Sequence, residues 1–176
     1  GMSAGRSDSP LFRDKRLRLI RRVRVWLALF IGGLVLSGVT AFPLERELSI
    51  VVAILGDSGM PRDSGVVAWL RTVHEALALT NRHYPFLAYG TDWLAFGHLA
   101  IAVAFIGLWI DPERNKWLIT WGLITCAAVV PLALVAGAIR GIPLYWRFVD
   151  CSFGVVGSIP LMICRYFVGK LEREEA

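Results

Sequence analysis

Histidine and cysteine are scarce in this chain, and its long apolar runs are nearly free of acids. Three histidines and three cysteines are little material for a metal centre. Cys126, Cys151 and Cys164 lie in apolar stretches without CxxC spacing or the pairing pattern of a disulfide framework, so they read as buried, unreactive thiols. Only His98 falls within a candidate membrane span; His74 and His83 lie in a loop, which argues against bis-histidine haem ligation at a matched depth. No metal site and no cofactor are expected. A P-loop and a G-x-S-x-G pattern are also missing, and no internal repeat or low-complexity tract stands out. No motif specifies a reaction, and the residues lean away from an enzyme.

Charge is sparse as well. Charged residues make up 19% of the chain, against about 25% in an average soluble domain. In their place stand 56% hydrophobic residues and a mean hydropathy of +0.57. These residues are gathered in blocks rather than alternating, which is the pattern of an integral membrane protein.

Four blocks suit membrane-spanning helices. The first, residues 25–42, carries no charge and is closed by Pro43. Val39-Thr40-Ala41 resembles a signal-peptide cleavage site, but the run exceeds the ~7–15 residue apolar core of such signals, so it is read as an uncleaved helix. The second span covers 90–110 and the third 117–139, with Pro131 as a kink; the fourth runs 143–168 and opens on Pro143. Asp111 and Pro112 are read as the N-cap and first-turn proline of the third span. "RGIP" (140–143) is a tight turn. The expected fold is therefore all-α: a four-helix transmembrane bundle over 25–170, preceded by a basic segment (1–24) and followed by a short polar tail (171–176).

The stretch 44–89 joins the first two spans. "LSIVVAILG" (48–56) is too short to cross a membrane, and a turn-rich linker follows it. From Gly65, apolar residues Val66, Trp69, Leu70, Val73 and Leu77 recur at helical spacing, with Arg71, His74 and Glu75 opposite. This predicts an amphipathic helix lying on the membrane or capping the bundle, ended by Asn81 and Pro85.

Orientation follows from arginine and lysine. Eight of them precede Val25, among them Arg6, Arg16, Arg21 and Arg24, against Asp8 and Asp14. Such a run beside an apolar span reads as a juxtamembrane anchor rather than a nucleic-acid arm. Arg114 and Lys116 in the 111–116 loop, with Arg165, Lys170 and Arg173 near the C-terminus, fall on the same side. The 44–89 loop has four arginines against five acids. The positive-inside rule puts both termini in the cytoplasm and the loop outside, here of a bacterial plasma membrane. Trp26, Trp93, Trp109, Trp117 and Trp146 lie near span ends, as an interfacial aromatic belt requires.

A charge inside the bilayer costs on the order of 2.5–3.5 kcal/mol on insertion scales, so each one asks for a partner or a purpose. Arg147 and Asp150 are spaced i, i+3 and can pair on one helix face. At ~1.5 Å per residue, Asp150 lies roughly 10 Å below the start of its helix, and His98 on the second span lies at a similar depth. Asp92 is a first-turn acid of that span, about 120° around the helix from His98. Tyr145 and Arg140 complete the set that could reach one polar pocket in the extracytoplasmic leaflet. Gly154 and Gly157, below Asp150, are small enough to admit a neighbouring helix or a ligand.

The leading expectation is a small membrane protein binding a lipid or other amphipathic molecule there, through His98, Arg147, Asp150, Tyr145, Arg140 and Asp92, with the amphipathic segment as a lid. The alternative is a non-catalytic accessory subunit whose charges only fix helix register. A third reading, a proton-coupled transporter using Asp150, needs a dimer, for which Gly33/Ser37 and Gly154/Ser158 offer close-packing faces. Expected partners are membrane lipids and a second copy or another membrane protein, not nucleic acid.

Overall fold

A computed structural model describes residues 10–57, 61 and 64–175. Arg6 and Asp8 of the basic segment, and 58–60 and 62–63 of the turn-rich linker, lie outside the described residues. Among those described there are six α-helices, one 3-10 turn at Pro85–Leu87 and no strand. The helices are α1 (Pro10–Ala41), α2 (Leu44–Asp57), α3 (Gly65–His83), α4 (Ala88–Ile110), α5 (Trp117–Ile139) and α6 (Leu144–Glu175). Four segments are long and apolar enough to cross a membrane: Pro10–Ala41, Pro85–Ile110, Trp117–Ile139 and Leu144–Glu174. The chain is a helical membrane protein.

The helix boundaries follow local chemistry. α1 begins at Pro10 rather than at the apolar run, because the arginines and leucines ahead of it are good helix formers and continue it without a break. Phe42 and Pro43 end it. Glu45 and Glu47 occupy the first turn of α2, where the helix dipole favours acids, and the Glu47 N–H donates to the Pro43 carbonyl at 3.0 Å. α3 continues past Asn81 to His83 and stops at Tyr84, which precedes Pro85 and leaves the helical region. Asp111 does not cap α5 as expected. Its carboxylate accepts the Arg114 N–H at 3.1 Å and so closes the 111–116 turn, while Lys116 stands at the cap position of α5 without a side-chain cap. The C-terminal residues that read as a polar tail continue α6 to Glu175.

The α5–α6 connection is a Schellman turn. The Ile142 N–H donates to Gly137 O at 2.9 Å and the Gly141 N–H to Ala138 O at 3.2 Å, with Gly141 at φ 70°. Glycine belongs there because a Cβ opposes positive φ.

Two compact units divide the chain, Gly1–Gly32 with Val103–Ala176 and Gly33–Ala102. The first has a well-defined core of Leu19, Val23, Leu27, Phe105, Leu108, Ile119, Leu161, Val168 and Leu171. Phe30 and Phe105 meet at 4.8 Å between ring centroids. Cys164, fully buried, donates its thiol to Val23 O at 3.6 Å. Glycines let α5 and α6 approach: a Cβ on Gly154 would collide with the backbone carbonyl of Cys126, and one on Gly157 would sit 3.3 Å from the Cys126 sulfur. What these two glycines admit is the neighbouring helix.

Side chains also join the charged ends of this unit. Lys15 pairs with Glu174 at 2.7 Å, Arg16 with Glu113 at 3.0 Å, and Lys116 with Glu172. Arg24 donates to Trp109 O at 3.2 Å. The basic part of α1, the 111–116 turn and the end of α6 therefore meet at one end of the unit.

The second unit holds the rest of α1, α2, α3 and most of α4. α2 packs on α3, and Gly38 lets α1 approach α4 at Ala95 and Leu99. Its buried apolar side chains, among the described residues, are Val67, Ala95 and Ala102. Around both units large apolar side chains such as Leu29, Leu36, Leu132, Phe153 and Val156 face outward, as a hydrocarbon solvent allows.

Candidate functional site

The second unit contains a cleft of about 520 Å³ where the α1–α2 corner, the last turns of α3 and the start of α4 come together. Its position follows from the helix breaks. Pro43 turns the chain between α1 and α2, and Pro85 turns it between α3 and α4, so two corners and two helix beginnings border one space.

Apolar and polar groups share the lining. Phe42, Leu44, Leu77 and Leu87 supply hydrocarbon; Glu45, Arg46, Asn81 and Asp92 supply polarity. Thr80, Thr91 and Ser49 add hydroxyls. The Asn81 amide donates to Glu45 at 2.6 Å, which ties the end of α3 to the start of α2 and fixes the carboxylate in place. Asp92, half-buried in the first turns of α4, has no hydrogen-bond or ion partner among the described residues. The arrangement offers two carboxylates, one guanidinium and an amide beside an apolar wall, in a volume within the range usual for small-molecule sites, about 300–1,000 Å³.

Of the residues expected to form a pocket, Asp92 lines this cleft. His98, further along α4 in the same unit, is half-buried, and its Nδ1 donates to Leu94 O at 2.8 Å.

Arg140, Tyr145, Arg147 and Asp150 belong to the first unit. Arg140 and Tyr145 are exposed. The expected ion pair between Arg147 and Asp150 is absent. Arg147 Nε donates to Ile142 O at 2.9 Å and its terminal amine to Leu134 O at 3.4 Å. Its stem lies against Gly137, where a Cβ would come within 2.7 Å of Arg147 Cγ and Cδ. The cause is competition. The Ile142 carbonyl in the turn after α5 and the Leu134 carbonyl in the last turns of α5 take the guanidinium, whose stem fits the gap at Gly137. Asp150 is half-buried and has no hydrogen-bond or ion partner among the described residues.

Glu45 and Asn81 escaped the sequence reading. Their signal was slight, since 36 positions separate them and no periodicity relates them. Among the described residues no three His, Cys, Asp or Glu side chains gather as a metal site needs. Comparison with protein-family models, curated proteins and solved structures gives no match for this chain.

Proposed function

We propose that this protein binds a lipid or another amphipathic molecule, and that the cleft at Glu45, Asn81 and Asp92 is where its polar head sits. The carrying observation is the mixed lining of that cleft, in which hydrocarbon stands beside two carboxylates, Glu45 held by Asn81 and Asp92 without a partner among the described residues. An amphipathic ligand needs both, because unpaired polar groups are costly in an apolar setting and apolar chains gain nothing from a polar one. The end of α3 supplies Leu77, Thr80 and Asn81 as one wall, in keeping with the lid role of the amphipathic helix.

The proposed setting is a plasma membrane crossed four times, with both termini in the cytoplasm and the 44–89 segment outside. The excess of arginine and lysine where the start of α1, the 111–116 turn and the end of α6 meet favours this orientation. The molecule works by binding, alone or with a second copy or membrane partner.

The test is extraction of the purified full chain and mass spectrometry of whatever amphiphile it retains. Glu45→Gln with Asp92→Asn should lower the retained amount at least five-fold while the helical circular dichroism and melting temperature stay those of the wild type. Unchanged retention by this variant contradicts the proposal.

One observation favours a second reading, that of a non-catalytic assembly subunit. Arg147 is consumed by backbone carbonyls at the α5–α6 turn, which is what a charge kept only to fix helix geometry would do.

A further inference from the structure

From Lys15 to Arg24 the cationic side chains of α1 divide into two groups, with Arg13 ahead of them exposed. One group is engaged within the protein: Lys15 with Glu174, Arg16 with Glu113, Arg24 with Trp109 O, and Arg22 stacked 5.5 Å from the Phe167 ring centroid. The other group is turned away from this packing. Arg21 is exposed and has no partner among the described residues. Arg18 is exposed and uses only its Nε, on the Asp14 carbonyl one turn back at 3.3 Å.

Their surroundings say what they meet. Leu17 and Val25 stand one turn before and one turn after Arg21, and both are exposed, at 63% and 55%. Leu29, 60% exposed, extends the same face into the apolar span. Residues at i, i+4 and i+8 share a helix face, so Arg21, Val25 and Leu29 form one outward stripe with the charge at its end. The opposite side of this helix carries the buried Leu19, Val23 and Leu27. A stripe of exposed apolar residues running up to the Arg21 guanidinium and the unused terminal nitrogens of Arg18 matches a lipid, with its acyl chains along Val25 and Leu29 and its phosphate at the arginines.

From this partition we infer that Arg18 and Arg21, with Leu17 and Val25, form a binding surface for anionic phospholipid headgroups, separate from the cleft. A guanidinium fork holds a phosphate by two parallel hydrogen bonds, and the net charge of +5 on the chain favours an anionic lipid over a zwitterionic one. Apolar side chains beside the arginines set a lipid apart from a nucleic acid, which offers no hydrocarbon for Leu17 and Val25.

The probe is an equimolar mixture of phosphatidylglycerol and phosphatidylcholine added to the full chain in detergent, with bound lipid counted by native mass spectrometry. The wild type should retain phosphatidylglycerol preferentially. Arg18→Gln with Arg21→Gln should lose that preference by about five-fold per arginine, the size expected for one cation near an anionic surface. Arg22→Gln, which removes a stacked arginine, should leave it within two-fold. The Arg18/Arg21 variant should melt with the wild type, because neither side chain holds another element in place. An undiminished preference in the Arg18/Arg21 variant, no preference in the wild type, or displacement of phosphatidylglycerol by a short oligonucleotide would overturn the inference. Glu45→Gln with Asp92→Asn should leave this preference intact, which separates it from the cleft.

Discussion

In the first unit Lys15, Arg16 and Lys116 meet partners while Arg18 and Arg21 face outward, and several glycines meet a neighbouring helix; in the second, a carboxylate faces a cleft. Lys15, Arg16 and Lys116 are ion-paired, Arg147 is bonded to two carbonyls, and Gly122, Gly154 and Gly157 are each filled against a neighbour. In the second unit Asp92 has no partner among the described residues and lines the cleft, and Gly90 and Gly97 have nothing near them although Gly38 is filled against α4. Tight packing and satisfied polar groups are how a membrane protein gains rigidity, whereas unsatisfied polarity beside a cavity is what a ligand can use. The difference teaches that charge in an apolar helix is not by itself a sign of a site. Partners and an adjoining cleft decide together: Asp150 also has no partner among the described residues, but Asp92 lines the cleft.

Substitutions can break this contrast. The largest effect is expected at Gly154. Leucine there would force α5 and α6 apart and cost about 3 kcal/mol, read as a lowered melting temperature in detergent. Gly97→Ala in the second unit should be neutral or slightly stabilising, since the site is open and alanine favours the helix. Next comes Arg147→Gln, which removes two charge-assisted bonds and should cost about 2 kcal/mol. A double-mutant cycle with Asp150→Asn should show no coupling, because the two side chains do not touch; a coupling above about 0.5 kcal/mol would restore the ion pair. Gly141→Ala should cost about 1 kcal/mol for placing a Cβ at positive φ. The smallest effect is at Lys15, whose side chain is 64% exposed. Lys15→Gln should cost under about 1 kcal/mol and lose even that in high salt.

Legibility in the sequence tracked the range of the interaction. α5 was read to the residue, 117–139, because hydropathy and two turns bound it on both sides. The apolar run that marks the span begins at Val25, whereas the α1 helix reaches fifteen residues further back, to Pro10, since hydropathy is blind to a helix built from arginine and leucine. α2 was passed over as too short to span, although Glu45 and Glu47 at its start are helix-start residues. For the candidate site, Asp92 was recognisable as an acid at a helix beginning. Glu45 and Asn81 were not, because their meeting depends on how α2 packs on α3. The ion pair that the spacing of Arg147 and Asp150 allows is not formed, for a related reason. Spacing i, i+3 says that two side chains can meet, but not that carbonyls of α5 and of the glycine turn after it will compete for one of them.

What is proposed is that an amphipathic ligand sits in the cleft and not at the charges of the α5–α6 hairpin. It is tested most directly by comparing Asp92→Asn with Asp150→Asn, each purified as the folded full chain and assayed for retained amphiphile by mass spectrometry. The account predicts loss of retention with Asp92→Asn and wild-type retention with Asp150→Asn. Loss with Asp150→Asn while Asp92→Asn retains its ligand would contradict it.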